Sequence, residues 1–451
     1  MKGSAWQHDS ITDEYYLHLF TSSQPDLNWE NASLRCAIYE EMRFWLGKGI
    51  SGFRMDVINM ISKVSHLPDA PITNASTPFQ SAVPLFVNGP RIHEYIQEMR
   101  REVLDQYEDV VTIGEAPFTH DPEVVRAYVH NERKELSMLF IFDTFGVDMG
   151  PGGKFTPSSR GLKDLKEKIA LWQRELPFSS GVCQAFWLET HDAGRSVTRF
   201  GDRTFENRFR VAKMLAMLMT TMSGTVFVYQ GQEIGMQNLG SDVPIDSYAD
   251  IETKLFWQDI KTQRQAAARS GEDIDMRDVE EQVRLKARDH GRAPIPWEDS
   301  SYPLAGFSDA DVTPWTPMNT DADICNVAAQ HEDPNSVLNF WRQMLAFRKE
   351  WAETIVFGDC EPIEATMNDE PVFAYRRRVV DKTTDAKDLL VVLNMKATKD
   401  AEYKLPGPKF VQYTVVAATD GGVAAGVMPD FDGGMTLLLA PYQGIIFRID
   451  A

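Results

Sequence analysis

An arginine and an aspartate alternate along one short apolar segment, Gly52-Phe53-Arg54-Met55-Asp56-Val57. Residues two apart lie on the same face of a β-strand, so a strand here places Arg54 beside Asp56. A neighbouring guanidinium favours the ionised carboxylate, which is the form that a carboxylate nucleophile needs at neutral pH. A structural ion pair explains the same two residues equally well, so this segment indicates a nucleophile only in combination with others.

Two further apolar segments end on acidic residues. Val110-Val111-Thr112-Ile113-Gly114-Glu115 ends on a Gly-Glu step, and Phe186-Trp187-Leu188-Glu189-Thr190-His191-Asp192 ends on a His-Asp pair. Partial burial at a strand end raises a carboxyl pKa, which keeps a general acid protonated until the leaving group needs the proton. One acidic residue at a strand end is more often a solvated rim residue. Three successive strand ends that close on carboxylates instead favour an active site, because βα enzymes collect their catalytic groups there.

The residues alone leave the chemistry of these carboxylates open. Carboxyl groups about 5–5.5 Å apart support a covalent glycosyl intermediate, whereas a wider gap indicates an inverting mechanism. Binding of a divalent metal is the other interpretation, but it usually brings more Asp, Asn or water-binding loops than this sequence contains.

Strands and helices alternate from residue 34 to about 351, which indicates an α/β fold with βα units around a parallel sheet. Apolar stripes predict amphipathic helices between the strands. One stripe consists of Leu34, Ile38, Met42 and Trp45, and another of Leu338, Trp341 and Leu345. After residue 356 short strands and turns predict an antiparallel β domain, with strands over Val372–Arg377, Leu389–Leu393, Val411–Ala417, Met435–Leu439 and Ile445–Ile449. The five strands predicted for the βα units are Ile50–Val57, Val110–Glu115, Leu136–Asp143, Gln184–Asp192 and Thr225–Gln230.

The composition of the chain indicates which binding partners and which cellular compartment to expect. The 451 residues contain 46 Lys and Arg against 66 Asp and Glu, a formal charge of -20 that repels nucleic acid and anionic membranes. No basic, apolar leader follows Met1, and the most apolar stretch, 214–229, is shorter than the roughly 20 residues of a membrane span. Ser223-Gly224 interrupts this stretch, so we expect a helix followed by a strand there. The four cysteines lack zinc-type and redox-type spacing, which favours a reducing compartment. We expect a cytoplasmic protein with no nucleic-acid or membrane partner.

Five ordered motifs resemble the α-glucosidase branch, of maltase and oligo-1,6-glucosidase type, of the α-amylase family. Together they run in the family's order over most of the chain. They are Gln24-Pro25-Asp26-Leu27-Asn28-Trp29, Gly52 to Asp56, Gly114-Glu115, Leu188 to Asp192 and Tyr229-Gln230-Gly231-Gln232-Glu233-Ile234-Gly235.

The resemblance implies a role for each matched residue. Asp56 is expected to be the nucleophile, Glu115 the acid/base and Asp192 the carboxylate that stabilises the transition state. Arg54 is expected beside the nucleophile and His191 on the bound glucose.

The same resemblance implies roles for two more residues, Arg288 and Val57. The segment Arg288-Asp289-His290-Gly291-Arg292 resembles the family segment whose arginine holds the non-reducing glucose, and we assign that role to Arg288; without the family, it would be a charged helix end capped by Gly291. Val57, after the expected nucleophile, matches relatives that cleave α-1,6 bonds, although it is also an ordinary β-branched strand residue. Such a side chain changes linkage preference by roughly 1–3 kcal/mol.

The resemblance also implies a (β/α)8 TIM barrel of the α-amylase type with its first three strands missing. We expect residues 1–33 to be a remnant of the insertion domain after barrel strand 3, 34–355 the remaining barrel and 356–451 a C-terminal β-sandwich domain. Five strands cannot close a barrel of eight, so activity of this chain alone is an open question. The family's calcium loop would lie in the missing segment, so we expect no metal and no cofactor.

The expected function is that of a retaining exo-acting α-glucosidase on short oligosaccharides. Maltose and isomaltose are the expected substrates, with sucrose as a further candidate, with a preference for α-1,6 or mixed linkages; we expect a monomer. The alternatives are a non-catalytic or inactive family member, which would commonly lose the carboxylates, and a transglycosidase or sucrose isomerase. The last shares the carboxylates and differs in how water is excluded from the acceptor site.

Overall fold

The computed structural model describes residues 3–201, 207–269, 273–397, 401–405, 412–420, 428–429 and 435–450. The chain divides into two compact units, Met1–Phe142 with Ser180–Cys183 and Asp143–Ser179 with Gln184–Ala451. We refer to them as unit 1 and unit 2.

Unit 1 contains an N-terminal hairpin and three parallel strands in the order β3-β4-β5. Helices lie between these strands in the chain, as expected for βα units. The strands are β1 (Trp6–Asp9), β2 (Glu14–Leu17), β3 (Gly52–Met55), β4 (Val111–Glu115) and β5 (Met138–Phe140). The helices are α1 (Ala32–Gly47), α2 (Val83–Phe86), α3 (Ile92–Glu102) and α4 (Pro122–Val129).

Helix α1 shows how the sequence forms these elements. Asn31 caps its first turn, with the side-chain oxygen accepting the Ser33 N–H at 2.9 Å. Its buried stripe follows the helical period and consists of Arg35, Tyr39, Met42 and Leu46. Trp45, whose spacing predicts a place on the buried face, is instead 52% exposed.

Unit 2 contains the parallel pair β6 (Ala185–Phe186) and β7 (Thr225–Val226) and the remaining helices. Helix α7 is buried on nearly all sides, so the apolar stretch that begins at residue 214 is a core helix followed by a strand, as predicted. Gly224, between them, has φ +81°, and a Cβ there would meet the Gln184 carbonyl oxygen at 2.4 Å. The helices are α5 (Leu162–Glu175), α6 (Ser196–Phe200), α7 (Arg208–Thr220), α8 (Ile251–Ala267), α9 (Arg277–Lys286), α10 (Arg288–Arg292), α11 (Val327–Glu332), α12 (Val337–Glu350) and α13 (Ala352–Ile355).

The end of unit 2 is antiparallel, which confirms the β domain predicted after residue 356. One sheet has the order β12-β15-β10-β9-β8 and the other β11-β14-β13, and apolar side chains of the two sheets form a common core. The strands are β8 (Asp359–Pro362), β9 (Val372–Arg378), β10 (Leu389–Asn394), β11 (Ala401–Leu405), β12 (Gln412–Ala418), β13 (Met428–Pro429), β14 (Met435–Leu439) and β15 (Gly444–Asp450).

The strand predicted over 184–192 is much shorter than expected. Only Ala185 and Phe186 pair with β7, and the residues that follow bond to side chains and loops. Thr190, for example, accepts the Asp192 N–H on its own hydroxyl at 3.0 Å. A side chain that competes for a backbone group in this way favours a turn over a strand. Asp192 therefore lies on a loop and not at the end of a ladder.

Across the described ranges, no helix combines the length and the apolar character needed to cross a bilayer.

Candidate active site

The two acidic residues of unit 1 follow from the register of its strands. Strands β3 and β4 are parallel, with Met55 opposite Gly114, so the next residues along each strand are Asp56 and Glu115. Gly52 starts β3 at φ +157°, where a Cβ would lie 1.9 Å from the Val111 carbonyl oxygen. Glycine at this position lets the two strands approach closely, and the approach brings the two carboxyl groups to the same edge of the sheet.

Arg54 links these two carboxylates. One of its terminal nitrogens contacts the Asp56 carboxylate, and the other lies 2.8 Å from Glu115 Oε1. The Glu115 side chain is 9% exposed, whereas the Asp56 side chain is 69% exposed. The structure thus brings Arg54, Asp56 and Glu115 together, with one carboxyl group buried and the other open to solvent.

Burial, aided by a hydrogen bond and negative charge from Asp56, raises the pKa of Glu115 to about 7. The Arg54 guanidinium and the Val57 N–H oppose this rise because both favour the ionised carboxylate. A carboxyl group with a pKa near 7 can both donate and accept a proton at neutral pH, as an acid/base catalyst must. The Val57 N–H donates to Glu115 Oε2 at 3.2 Å.

In unit 2, Asp192 lies beside two arginines and a histidine. Its Oδ1 is 3.1 Å from an Arg292 terminal nitrogen, 3.3 Å from Arg288 Nε and 3.5 Å from His191 Nε2. Arg288 and Arg292 are four residues apart on helix α10, a spacing that places both on one face. Arg292 Nε also donates to the His191 carbonyl oxygen at 2.9 Å. The structure therefore brings the predicted residues His191, Asp192 and Arg288 together.

A second acidic pair holds the two arginines from the other side. Asp250 Oδ2 lies 2.8 Å from Arg292, and Glu252 Oε2 lies 3.3 Å from Arg288. Both belong to the start of helix α8, where Asp250 is the N-cap. Lys154 completes the network: its Nζ is 2.8 Å from Glu252 Oε2 and donates to the Asp192 carbonyl oxygen at 3.0 Å.

Asp289, between the two arginines, fixes the start of α8. Its fully buried carboxylate accepts the N–H groups of Ala249 and Asp250 at 2.6 and 2.9 Å and the Thr253 hydroxyl at 3.0 Å. Burial lowers the pKa of the neighbouring His290 to about 3, so its imidazole is neutral and accepts the Leu239 N–H at 3.1 Å. This short helix is anchored by its middle residues, which leaves its two arginines directed at Asp192.

Arg195 joins three loops of unit 2 from inside the protein. Its fully buried guanidinium donates to the carbonyl oxygens of Gln230 at 2.6 Å and His290 at 3.1 Å, and lies 3.2 Å from Glu189 Oε2. Glu189 Oε1 in turn accepts the Ser196 N–H at 2.8 Å. The loop that carries Asp192 is thus tied to the segments after β7 and in α10.

Five residues of this network were missed by the sequence reasoning: Lys154, Arg195, Asp250, Glu252 and Arg292. For Arg292 a signal existed, because its four-residue spacing from Arg288 predicts a shared helix face. The others lie far along the chain from Asp192 or inside loops, and no local pattern marks them. Among the described residues, no group of three or more His, Cys, Asp or Glu side chains has an arrangement that could hold a metal ion.

Comparison with known proteins places these residues in a family. The protein-family model for the α-amylase catalytic domain matches residues 1–358 of this chain. The chain is 41% identical over 407 residues to an oligo-1,6-glucosidase of Parageobacillus thermoglucosidasius, covering 90% of this chain and 67% of that protein. It is 37% identical over 451 residues to the oligo-1,6-glucosidase of Bacillus cereus, covering 99% and 74%. It is also 38% identical over 397 residues to an α-glucosidase of Schizosaccharomyces pombe, covering 88% and 66%.

Solved structures of related proteins are similar to this chain over nearly its whole length. Trehalose-6-phosphate hydrolase of Bacillus licheniformis superposes with a TM-score of 0.84 at 32% identity, covering 100% of this chain and 74% of that one. Isomaltulose synthase of Klebsiella sp. LX3 superposes with a TM-score of 0.85 at 32% identity, covering 99% and 74%. The fold is thus that of the α-amylase type, a TIM-barrel architecture with a C-terminal antiparallel β domain, and the chain spans about two thirds to three quarters of its relatives' length. The chain belongs to the α-amylase family of glycoside hydrolases, together with oligo-1,6-glucosidases and α-glucosidases.

Proposed function

We propose that this chain carries the catalytic groups of a retaining α-glucosidase that removes terminal glucose from short α-glucosides. The observation that carries the proposal is the Arg54-linked pair of Asp56 and Glu115 on neighbouring parallel strands, with a Glu115 pKa of about 7. Two carboxyl groups held by one guanidinium leave little room for a water molecule between them, which favours the retaining mechanism over the inverting one.

In the proposed reaction Glu115 and Asp56 act in two steps. Protonated Glu115 gives its proton to the glycosidic oxygen while Asp56 attacks the anomeric carbon, so the bond to the leaving sugar breaks as the glucosyl–aspartate bond forms. Glu115, now ionised, removes a proton from a water molecule, and that water attacks the same carbon and releases Asp56. The exposed position of Asp56 and the burial of Glu115 suit these two roles.

Asp192 is proposed as the third carboxylate, with His191 and Arg288 as glucose-binding residues. These roles rest on the family motifs, and the cationic surroundings of Asp192 in unit 2 support them. An anion paired with two guanidiniums is held ready to stabilise the positive charge that develops on the sugar ring. A preference for α-1,6 or mixed linkages is supported by Val57 and by the oligo-1,6-glucosidases among the relatives.

Product analysis tests the proposal directly. The chain is expected to release glucose from isomaltose and maltose, with the α-anomer appearing first in a proton NMR time course. Asp56→Asn is the matched control, since it removes the attacking charge and keeps the side-chain shape. Initial release of the β-anomer would contradict the retaining mechanism, and absence of any glucose would contradict hydrolysis by this chain. A monomeric state and a cytoplasmic location stay predictions.

A sucrose isomerase is the second candidate, because isomaltulose synthases are among the similar solved structures. Such an enzyme would use the same two carboxyl groups and return the glucosyl group to fructose instead of water. Incubation with sucrose distinguishes the two: hydrolysis gives equal amounts of glucose and fructose, whereas isomerisation gives a new disaccharide.

A further inference from the structure

Val57, the residue after Asp56, has a backbone conformation that its side chain disfavours. Its φ and ψ angles are +35° and +43°, in the left-handed region, whereas the sequence predicts an extended strand through this position. A β-branched residue there is an outlier, and such a conformation persists only where the surrounding structure enforces it. A strained backbone beside Asp56 therefore calls for a structural or functional reason.

At the start of this left-handed turn, the Val57 N–H points at the carboxyl group of Glu115. The N–H donates to Oε2 at 3.2 Å, while Arg54 lies 2.8 Å from Oε1. Each oxygen of Glu115 therefore has its own donor, one from the backbone and one from a side chain. The β3–β4 ladder ends at Met55 opposite Gly114, and beyond it the Val57 N–H bonds to the Glu115 side chain and not to the backbone of β4.

Buried contacts of the residues that follow Val57 hold the turn in place. After Val57 the chain enters a 3₁₀ turn, Ile58–Met60, in which every residue is buried. The Asn59 amide donates to the Pro117 carbonyl oxygen at 2.7 Å and to the Thr119 hydroxyl at 3.0 Å, which ties the turn after β3 to the loop after β4. Ile58 packs so close to β4 that a Cβ on Gly114 would lie 2.8 Å from its methyl group.

We propose that the left-handed backbone of Val57 is a positioning element for Glu115, which it orients by aiming its N–H at one carboxylate oxygen. Val57 then acts through its main chain, apart from any influence of its side chain on linkage. The inference rests on the proposed acid/base role of Glu115. Among the residues that the structure describes, Arg54 and Asp56 are the charged groups that affect the Glu115 carboxyl most. The Val57 N–H joins Arg54 in favouring the ionised form, whereas burial and the charge of Asp56 oppose it.

Removal of the single N–H tests the proposal. Val57 is replaced by its α-hydroxy acid analogue through nonsense suppression, which turns the amide into an ester and keeps the side chain. The Glu115 pKa is followed by ¹³C NMR of carboxyl-labelled glutamate in the full chain, with the Glu115→Gln spectrum for assignment. We expect the pKa of Glu115 to rise by about one unit, because a donor to the ionised form is lost. An unchanged pKa in the folded ester variant would overturn the proposal.

The strain is tested separately with a matched pair, Val57→Gly and Val57→Ala. Both remove the branched side chain, but only glycine adopts the left-handed conformation at little cost. We expect Val57→Gly to have the higher unfolding midpoint and to keep the wild-type Glu115 pKa. A Val57→Ala variant as stable as Val57→Gly would show that the backbone is not strained here and would overturn the proposal even if the ester variant fails to fold.

These measurements separate the inference from the function on which it rests. Neither the NMR titration nor the unfolding midpoint requires turnover. Lack of glucoside hydrolysis by the wild-type chain would remove the proposed function, whereas normal hydrolysis with an unmoved Glu115 pKa in the ester variant would remove this inference alone.

Discussion

Glu115 in unit 1 and Asp192 in unit 2 are both carboxyl groups surrounded by charged side chains, but the kinds of neighbour differ. Glu115 is buried beside another carboxylate and one guanidinium, and its pKa is raised to about 7. Asp192 has two guanidiniums and an imidazole within 3.5 Å of one oxygen. The first environment suits a group that exchanges a proton, and the second suits a group that remains a charge. The family motifs supply both carboxylates, and the difference between their surroundings supports the different roles proposed for them.

The largest expected effect separates proton transfer from charge stabilisation. Glu115→Gln should lower kcat/KM for isomaltose by about 10²–10⁴-fold, since the leaving sugar then lacks its proton. An aryl α-glucoside with an acidic phenol should lose much less in the first step. Asp192→Asn should lower the rates for both substrates by similar factors, because Asp192 supplies charge and not a proton.

The measurement is the ratio of kcat/KM values for the two substrates in each variant. An equal loss on both substrates in Glu115→Gln would show that Glu115 does not act as the acid, and would erase the contrast with Asp192.

The second effect concerns stability and compares how each unit holds its loops. Arg195→Met removes the partner of Glu189, whose side chain is buried, and should destabilise the fold by about 3–5 kcal/mol. Asn59→Ala in unit 1 removes neutral hydrogen bonds to Pro117 and Thr119 and should cost about 1–3 kcal/mol. Urea unfolding of the two variants beside the wild type gives both values.

Arg195→Lys sharpens that test because it keeps the charge and loses the planar fork of donors. It should recover only part of the lost stability. Full recovery would mean that the charge beside Glu189, and not the carbonyl contacts of the loops, is what Arg195 contributes.

The sequence predicted the strand ends better than the network around them. The pairing of Arg54 with Asp56 follows from two-residue periodicity alone, and Glu115 follows from a β-branched run that ends on it. Strands β9 and β14 were predicted to within one residue at each end, because their alternation and flanking turns are local signals. Local periodicity therefore predicts where these strands lie, but it does not predict contacts between distant segments.

What could not be predicted depends on contacts between distant residues. Lys154 and Glu252 reach Asp192 and Arg288 from segments far away in the chain, and nothing in their own neighbourhoods marks them. Val57 has a side chain typical of strands and a backbone that is not, because buried packing of the following turn overrides its preference. Leu345, predicted on the buried stripe of α12, is 43% exposed. The spacing of apolar residues predicts which face of a helix is buried, but it does not predict where that buried face ends.

The third prediction compares the two arginines that face Asp192. Arg292→Ala leaves Asp250, whose side chain is 4% exposed, without its partner, and should lower kcat/KM by about 1–3 kcal/mol of transition-state stabilisation. The ion pairs of Arg288 are longer and more exposed and account for about 1 kcal/mol or less. We expect Arg288→Ala to lose more than this, because the same side chain is proposed to bind the glucose. Steady-state kinetics with isomaltose gives both values. A larger loss in Arg288→Ala would support the assignment of Arg288, and not Arg292, as the main glucose-binding arginine.

The smallest effect is a shift in pH dependence. Since Glu115 must be protonated to act as the acid, activity should fall above a pH near 7, about tenfold per unit. Arg54 favours the ionised form of Glu115, so Arg54→Gln should raise the pKa of the carboxyl pair and move this limb of the kcat/KM profile to higher pH by about one unit. Arg292→Ala is the control, because its guanidinium pairs with Asp192 and Asp250 and its loss should reduce the rate without moving the limb. A limb that moves in Arg292→Ala and stays in Arg54→Gln would mean that the titrating acid is not Glu115, and the contrast between a proton-exchanging carboxyl in unit 1 and a charged one in unit 2 would have to be reversed.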